Sequence, residues 1–297
     1  MNKKQVNGFN WIKMMNRVLF LAFFCLGFWS VGIGFSSADE IKTVRVVGST
    51  TVAPIAARAA EAFSKKHPGI RIVVNGGGSG VGINAVGRGL AEIGMASRQV
   101  TDKEKKNFAS VHLTDHIVGR DGVACAISSE IFNAGVTQLT REQIADIYSG
   151  KIKSWKAVGG PDRPILVIDK EKHRGTRHVF MEYVFNDVNA RAKGAKLITG
   201  SNNEERSKIA QSDSAVGMLS AAWLNADVEG VALKKGDTFI APTVENIQSG
   251  MYPVIRDLLF ITAGEPKGIL KDFIDFVRGE EGRSIVTESG YVFVPGS

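Results

Sequence analysis

The sequence predicts an α/β protein of two lobes, each an α/β sandwich, between which the chain crosses twice. Three observations predict it. Short β-branched runs alternate with amphipathic stretches from residue 44 to residue 96. The same alternation resumes near residue 165. Between the leader and the end there is no repeat or linker-like tract, and the length exceeds what one small lobe needs. Of the 297 residues, 44% are hydrophobic and 23% charged, the balance of an ordinary folded protein. That excludes a disordered activator, a collagen-like fibre and a coiled coil. Two cysteines exclude a disulfide scaffold and a structural zinc module.

The first 38 residues read as an export leader. Lys3, Lys4, Lys13 and Arg17 precede an apolar run over 18–33, and Ser36-Ser37-Ala38 ends it. A basic start, an apolar middle and small residues at −3 and −1 form a secretory signal, with cleavage expected after Ala38. The apolar run is shorter than the ~20 residues of a membrane span. Cys25 lacks the Leu-x-Gly/Ala-Cys context of a lipoprotein, so no lipid anchor is expected. Removing four cations leaves 33 basic against 30 acidic residues, so most of the formal +7 serves export. This speaks against a nucleic-acid partner. Only Cys125 then remains, so no internal disulfide can form.

The elements follow in order. Residues 44–47, 70–74 and 93–96 are β-branched, apolar and bounded by glycine or polar residues, as buried strands are. A helix is expected over 52–66, with Ile55, Ala59, Ala62 and Phe63 on one face. Pro54 stands in its first turn and His67-Pro68-Gly69 at its end. A second helix is expected over 80–89. This βαβαβ order argues for a largely parallel sheet. A strand-rich stretch over 117–127, a helix over 141–148 and a strand over 165–169 come next. A helix opens at Gly175-Thr176 and another covers 203–211. A strand over 254–262 and helices over 267–278 and 282–288 complete the chain.

Three turns carry the chemistry. They are Gly48-Ser49-Thr50-Thr51, Gly76-Gly77-Gly78-Ser79-Gly80 and Arg174-Gly175-Thr176-Arg177. Each follows a strand and opens a helix. Amides, hydroxyls and a positive helix end at a strand's carboxyl edge are the recipe for holding an anion. One such turn is explained by helix capping alone; three in one chain point to anion binding. Other chemistries lack their residues. Gly80-Val81-Gly82-Ile83-Asn84-Ala85 matches a dinucleotide turn, but no acid ends a strand about twenty residues on. No P-loop lysine follows, and Val81 stands where a nucleophile elbow needs glycine. His112 and His116 fall in a strand-like segment, so a helical metal pair is not expected. No carboxylate pair stands out for acid–base work. A binder without cofactor or metal, not an enzyme, is the expectation.

The motifs GSTTVAP, NGGGSGVGI, IGMASR, DGVA, LTREQIADIYSGKIKSW, GTR and TVENIQSGMYP occur in that order over about residues 43–294. Together they resemble the PstS-type phosphate-binding proteins of ABC phosphate importers. The resemblance implies a hinged periplasmic-binding-protein fold, inorganic phosphate as ligand, a membrane permease as partner, and a place in the periplasm; a monomer is the default expectation, because nothing in the sequence suggests a self-pairing surface. It implies a first lobe of 39–121 with 240–297 and a second of 122–239. Carried over residue by residue, it implies phosphate contacts from Ser49, Thr50, Thr51, Ser79, Gly80, Ser97, Arg98, Asp121, Gly175 and Thr176. The family has Gly-Ser where this chain has His173-Arg174. Arg174 therefore either braces the lobe interface or points to solvent, or it adds a charged contact to the anion. Asp121 is expected to accept the proton that phosphate keeps and sulfate lacks, with Arg98 compensating its charge. Another tetrahedral oxyanion, or a phosphate sensor without transport, are the competing readings.

Overall fold

The computed structural model describes residues 42–296; the leader and its cleavage point lie outside the described residues. In chain order the strands are β1 (Lys42–Gly48), β2 (Ile70–Gly76), β3 (Ile93–Ala96), β4 (Leu113–Ser128), β5 (Gln138–Leu139) and β6 (Leu166–Lys170). They continue as β7 (Ala195–Thr199), β8 (Ala215–Ser220), β9 (Val228–Gly230), β10 (Ala232–Lys235), β11 (Thr238–Ile240) and β12 (Ile255–Ala263). The helices are α1 (Ala53–Lys66), α2 (Ser79–Gly87), α3 (Asp102–Asn107), α4 (Ser129–Asn133) and α5 (Arg141–Ser149). After them come α6 (Gly175–Phe185), α7 (Asn202–Ala210), α8 (Val244–Gln248), α9 (Ile269–Arg278) and α10 (Glu280–Glu288). No helix of the described residues is long and apolar enough to cross a membrane.

One path runs β2-β1-β3-β12-β4-β8-β6-β7, with β9 beside β4; β11-β10-β5 form a separate small sheet. The expectation of a largely parallel sheet needs correction. β2-β1-β3 and β8-β6-β7 are parallel trios, but β12 and β4 are antiparallel to each other and to the trio strands beside them. The reason is the crossing. A strand that leaves one half to begin the other runs straight on, and pairs antiparallel with the segment that returns. β4 pairs with β12 through Gly122 and with β8 from Val123. The return lies alongside, where the Val123 N–H donates to the Val254 carbonyl at 2.9 Å.

Each half has its own core. In the first, Val44, Val46, Ile55, Phe63, Ile93, Phe260 and Phe273 pack together. Ile83, Ala96, Leu259 and Ile261 fill the opposite face of that sheet, under α2. In the second, Val123, Ile127, Leu139, Ile144, Trp155, Phe180 and Val216 form the main core. Full burial of such side chains contributes roughly 1.5–3 kcal/mol each, so two separate cores are affordable. Ile247, Tyr252 and Val254, which sequence reading puts with the first lobe, pack in the second core. Ile247 is the buried residue of α8, and Tyr252, beyond that helix, also donates its hydroxyl to the Val123 carbonyl at 3.0 Å.

The carboxyl ends of the two parallel trios are where the functional turns begin. Ser49, Ser79 and Ser97 follow β1, β2 and β3. Thr176 and Asn202 follow β6 and β7, and Ser220 ends β8.

Candidate functional site

These strand ends converge on one buried cluster. Ser49 Oγ donates to Ser97 Oγ at 3.0 Å, and the Ser97 amide donates to Ser79 Oγ at 3.0 Å. Ser49, Thr51, Ser79, Ser97 and Thr176 are all buried. Gly175 must be glycine here: a Cβ would stand 2.5 Å from Ser97 Oγ and closer still to Ser79 Oγ. Four hydroxyls of the first half and the start of α6 in the second therefore surround one point.

The cation of this cluster is Arg256 of β12, which sequence reasoning missed. Its Nη1 donates to Thr176 Oγ1 at 3.0 Å and to Ser97 Oγ at 3.3 Å; its Nη2 donates to Thr51 Oγ1 at 3.3 Å. Nε and Nη2 both reach Asp121 Oδ2, at 3.0 and 2.7 Å. Ser220 donates to Asp121 Oδ1 at 2.9 Å. Burial pushes the Asp121 carboxyl up, and the Arg256 guanidinium and Ser220 hydroxyl pull it back. Asn202, at the start of α7, donates to Thr51 Oγ1 at 2.9 Å. Thr51 thus accepts from two fixed donors and Thr176 from one, which leaves each hydroxyl proton free to donate. The signal for Arg256 was a charge inside the apolar run over 254–262. A buried strand tolerates one only with a partner.

Backbone amides contribute less than the sequence implies. Gly77 and Gly78 donate to the Gly48 carbonyl at 2.7 and 2.8 Å, and Gly80 donates across the halves to the His173 carbonyl at 3.1 Å. At α6 the first amides, Gly175, Thr176 and Arg177, have no partner within the helix, and Arg174 supplies no side-chain cap. α3, α5 and α8 are capped by Thr101, Thr140 and Thr243. The lack of a cap is no signal alone, because α9 and α10 also lack one; convergence on buried hydroxyls makes it one.

Four residues expected at the anion do not bring their polar groups into this cluster. Thr50 is half-buried, with its methyl over Gly76. The Gly80 amide serves His173. Arg98 turns away from Ser97, its chain neighbour, and forms a two-pronged pair with Glu104 at 2.8 Å, so it does not compensate Asp121. It lies at a separate cavity of about 590 Å³ that Arg88, Glu104, Lys172 and His173 also line. Arg174 pairs with Glu171 and lies at the interface of the halves. Behind the cluster, Lys170 and Glu205 form a fully buried ion pair, with Lys170 also donating to the Ser201 carbonyl ahead of α7.

His178, one turn into α6, sits near Arg98 and Glu104. Burial, then the Arg98 charge, hold its pKa down from the usual 6.5 to about 4, and Glu104 opposes them. Between those values the unfolded chain binds a proton that the folded chain does not. Stability is therefore expected to fall as pH drops through that window. Melting temperatures from pH 7 to pH 4 should decline less steeply in His178→Gln than in the parent; equal slopes would remove His178 from the account.

Two α/β halves, joined by adjacent strands and enclosing a buried polar cluster at their strand ends, define the periplasmic-binding-protein class. A model of the PBP superfamily domain matches residues 34–281. The chain is 32% identical over 266 residues to the phosphate-binding protein PstS of Bacillus subtilis, covering 86% of this chain and 85% of that protein. It is 28% identical to PstS of Borreliella burgdorferi, over 86% and 91% of the two. Among solved structures, one from Clostridium perfringens, assigned as a phosphate ABC transporter substrate-binding protein with bound phosphate, superposes with a TM-score of 0.77 at 33% identity, over 85% of this chain and all of that one. An ABC-type phosphate transport receptor from Vibrio cholerae gives a TM-score of 0.68 at 31% identity, over 84% of this chain and all of that one. The chain belongs to the PBP superfamily and, within it, to the PstS family of phosphate-binding proteins.

Proposed function

We propose that this protein captures inorganic phosphate between its halves and delivers it to the permease of an ABC importer outside the cytoplasm. One observation carries the reading. Five buried hydroxyls, from Ser49, Thr51, Ser79, Ser97 and Thr176, meet at the uncapped start of α6 around a single guanidinium. The cluster carries no surplus side-chain charge, because Arg256 answers Asp121 and Lys170 answers Glu205. Affinity for a dianion then comes from fixed dipoles and oriented O–H and N–H donors in a desolvated site. The names of the relatives point the same way. The phosphate contacts in this reading are Ser49, Thr51, Ser79, Ser97, Gly175, Thr176 and Arg256. Asp121 anchors Arg256 and, in this reading, accepts the proton that phosphate keeps; Asn202 orients Thr51, and Thr50, Gly80, Arg98 and Arg174 lie outside the site. The lobes divide at Gly122/Val123 and again at Val254/Ile255, and one copy of the chain forms a complete site. No reacting group is invoked: the cluster binds and releases its ligand.

A thermal-shift panel of phosphate, sulfate, phosphonate, arsenate and molybdate tests the reading, since a ligand that binds only the folded chain raises Tm by mass action. Phosphate should give the largest rise; no response to it would overturn the assignment. Asp121→Asn keeps the side chain's shape and removes its charge. Sulfate, which lacks the proton a carboxylate can accept, should then compete for the site, raising its affinity at least about tenfold relative to phosphate, the low end of the cost of unpaired buried like charges. Calorimetry with both anions reads this ratio, and an unchanged ratio would assign discrimination elsewhere.

A further inference from the structure

We infer that Arg174 is a positioning residue that straps the two halves together over the bound ligand and so sets how slowly phosphate leaves. The inference rests on the phosphate reading above and concerns a residue that does not itself reach the hydroxyl cluster.

The observations lie on both sides of the interface. In the first half, Gly78 holds a left-handed conformation at φ 95°. Its open face receives the Arg174 side chain: a Cβ on Gly78 would stand 2.8 Å from Arg174 Cδ and 3.0 Å from the His173 ring. In the second half, Gly200 receives the other end: a Cβ there would stand 2.8 Å from Arg174 Nη2. The flat guanidinium is thus laid between two glycine backbones, one from each half. It is fixed there by Glu171, whose Oε2 accepts from Nε at 2.8 Å and from Nη2 at 2.5 Å. Glu171 is itself tied to β7, its amide donating to the Thr199 carbonyl at 3.0 Å. Next to the strap, the Gly80 amide donates to the His173 carbonyl, a main-chain link across the same interface.

Charge and geometry say what the strap does. Glu171 neutralises the guanidinium, so Arg174 brings no free cation to the anion. Its side chain is only 15% exposed, so it is packed rather than waving in solvent. What it fixes is the position of the Gly76–Ser79 turn against the start of α6, and these two carry Ser79 and Thr176. Contacts of this kind exist only while the halves are apposed. They hold back opening and leave the encounter with the anion untouched, so they act on the dissociation rate. A lysine keeps the charge and most of the length but loses the flat fork that Glu171 grips.

Stopped-flow measurements with inorganic phosphate, read through intrinsic tryptophan fluorescence, test this on the mature protein. In Arg174→Ser the dissociation rate is expected to rise about tenfold with the association rate within twofold. Arg174→Lys should fall between that variant and the parent, and Gly78→Ala, which puts a methyl where the side chain lies, should behave like the serine variant. Hydrogen exchange at the Gly80 amide gives a readout that needs no anion: it should speed up in Arg174→Ser. An unchanged or slower dissociation rate, or a lower association rate alone, overturns the strap. So does unchanged exchange at Gly80, even in a protein that fails to bind phosphate. Absence of phosphate binding in the parent overturns the functional reading instead.

Discussion

Replacing Arg256 with methionine is expected to weaken phosphate binding by at least about 30-fold and to destabilise the protein at once. Among the described residues Arg256 is the one guanidinium that touches Thr51, Ser97 and Thr176 together, and it also pairs with the Asp121 carboxylate. Truncating one partner of a buried charged pair costs about 2–5 kcal/mol or more in binding, which is roughly 30-fold to several thousand-fold in Kd. Folding suffers separately, because Asp121 is left buried without its cation, a loss of about 3–5 kcal/mol. Burial already pushes that carboxyl up, and removing the Arg256 guanidinium, which pulls it back, pushes it up further. The two effects can be pulled apart. The double variant Arg256→Met with Asp121→Leu removes the pair as a pair, and should recover most of the stability while still binding weakly. Denaturant titration and calorimetry read the two quantities. If the single variant binds phosphate like the parent, Arg256 is a structural arginine and the site has another cation.

Gly175→Ala is expected to weaken phosphate binding about 100-fold, roughly 2.7 kcal/mol, through one added methyl. Gly175 opens α6 in an ordinary helical conformation, so alanine suits the local backbone and improves helix propensity slightly. The new Cβ would collide with the hydroxyls of Ser79 and Ser97, which belong to the other half. The substitution therefore acts on the apposition of the halves and not on the helix. Calorimetry should show the affinity loss, and thermal shift should show a smaller phosphate-induced rise in Tm. An affinity equal to the parent's would mean that the anion does not sit where these residues meet.

Ser49, Ser79 and Thr176 were legible because a strand-to-helix turn with glycine and a hydroxyl has few other uses when it occurs three times; Ser97 came only from the family resemblance. Arg98 stands apart from the cluster because β3 ends at Ala96 and the chain bends at Ser97 and Arg98, so the two neighbours diverge. Ser97 faces the cluster, while Arg98 faces Glu104, which belongs to the capping box of α3. Arg256 and Asn202 lie 159 and 105 residues from Ser97 in the chain. Only the folded sheet makes them neighbours, although an arginine amid apolar strand residues was a visible demand for a partner. The two long parallel trios could be read from β-branched runs, apart from β7 and β8, whose short mixed sequences carry little period. β5, β9, β10 and β11 are two to four residues long and lack the unbroken four-residue apolar run that made the equally short β3 visible.

Asp121 stands one residue before the point where β4 changes partners, and Arg256 lies opposite it on β12. Glycines at 119 and 122 flank the spot, and the ladder slips register between Leu258 and Leu259, a bulge that locally adds twist. On the proposed lobe division, the crossing between the halves therefore also carries the buried ion pair. A turn of one half against the other at this crossing would re-aim the carboxylate and the guanidinium together, and on the proposed phosphate site the angle between the halves and the hold on the anion become one mechanical coordinate.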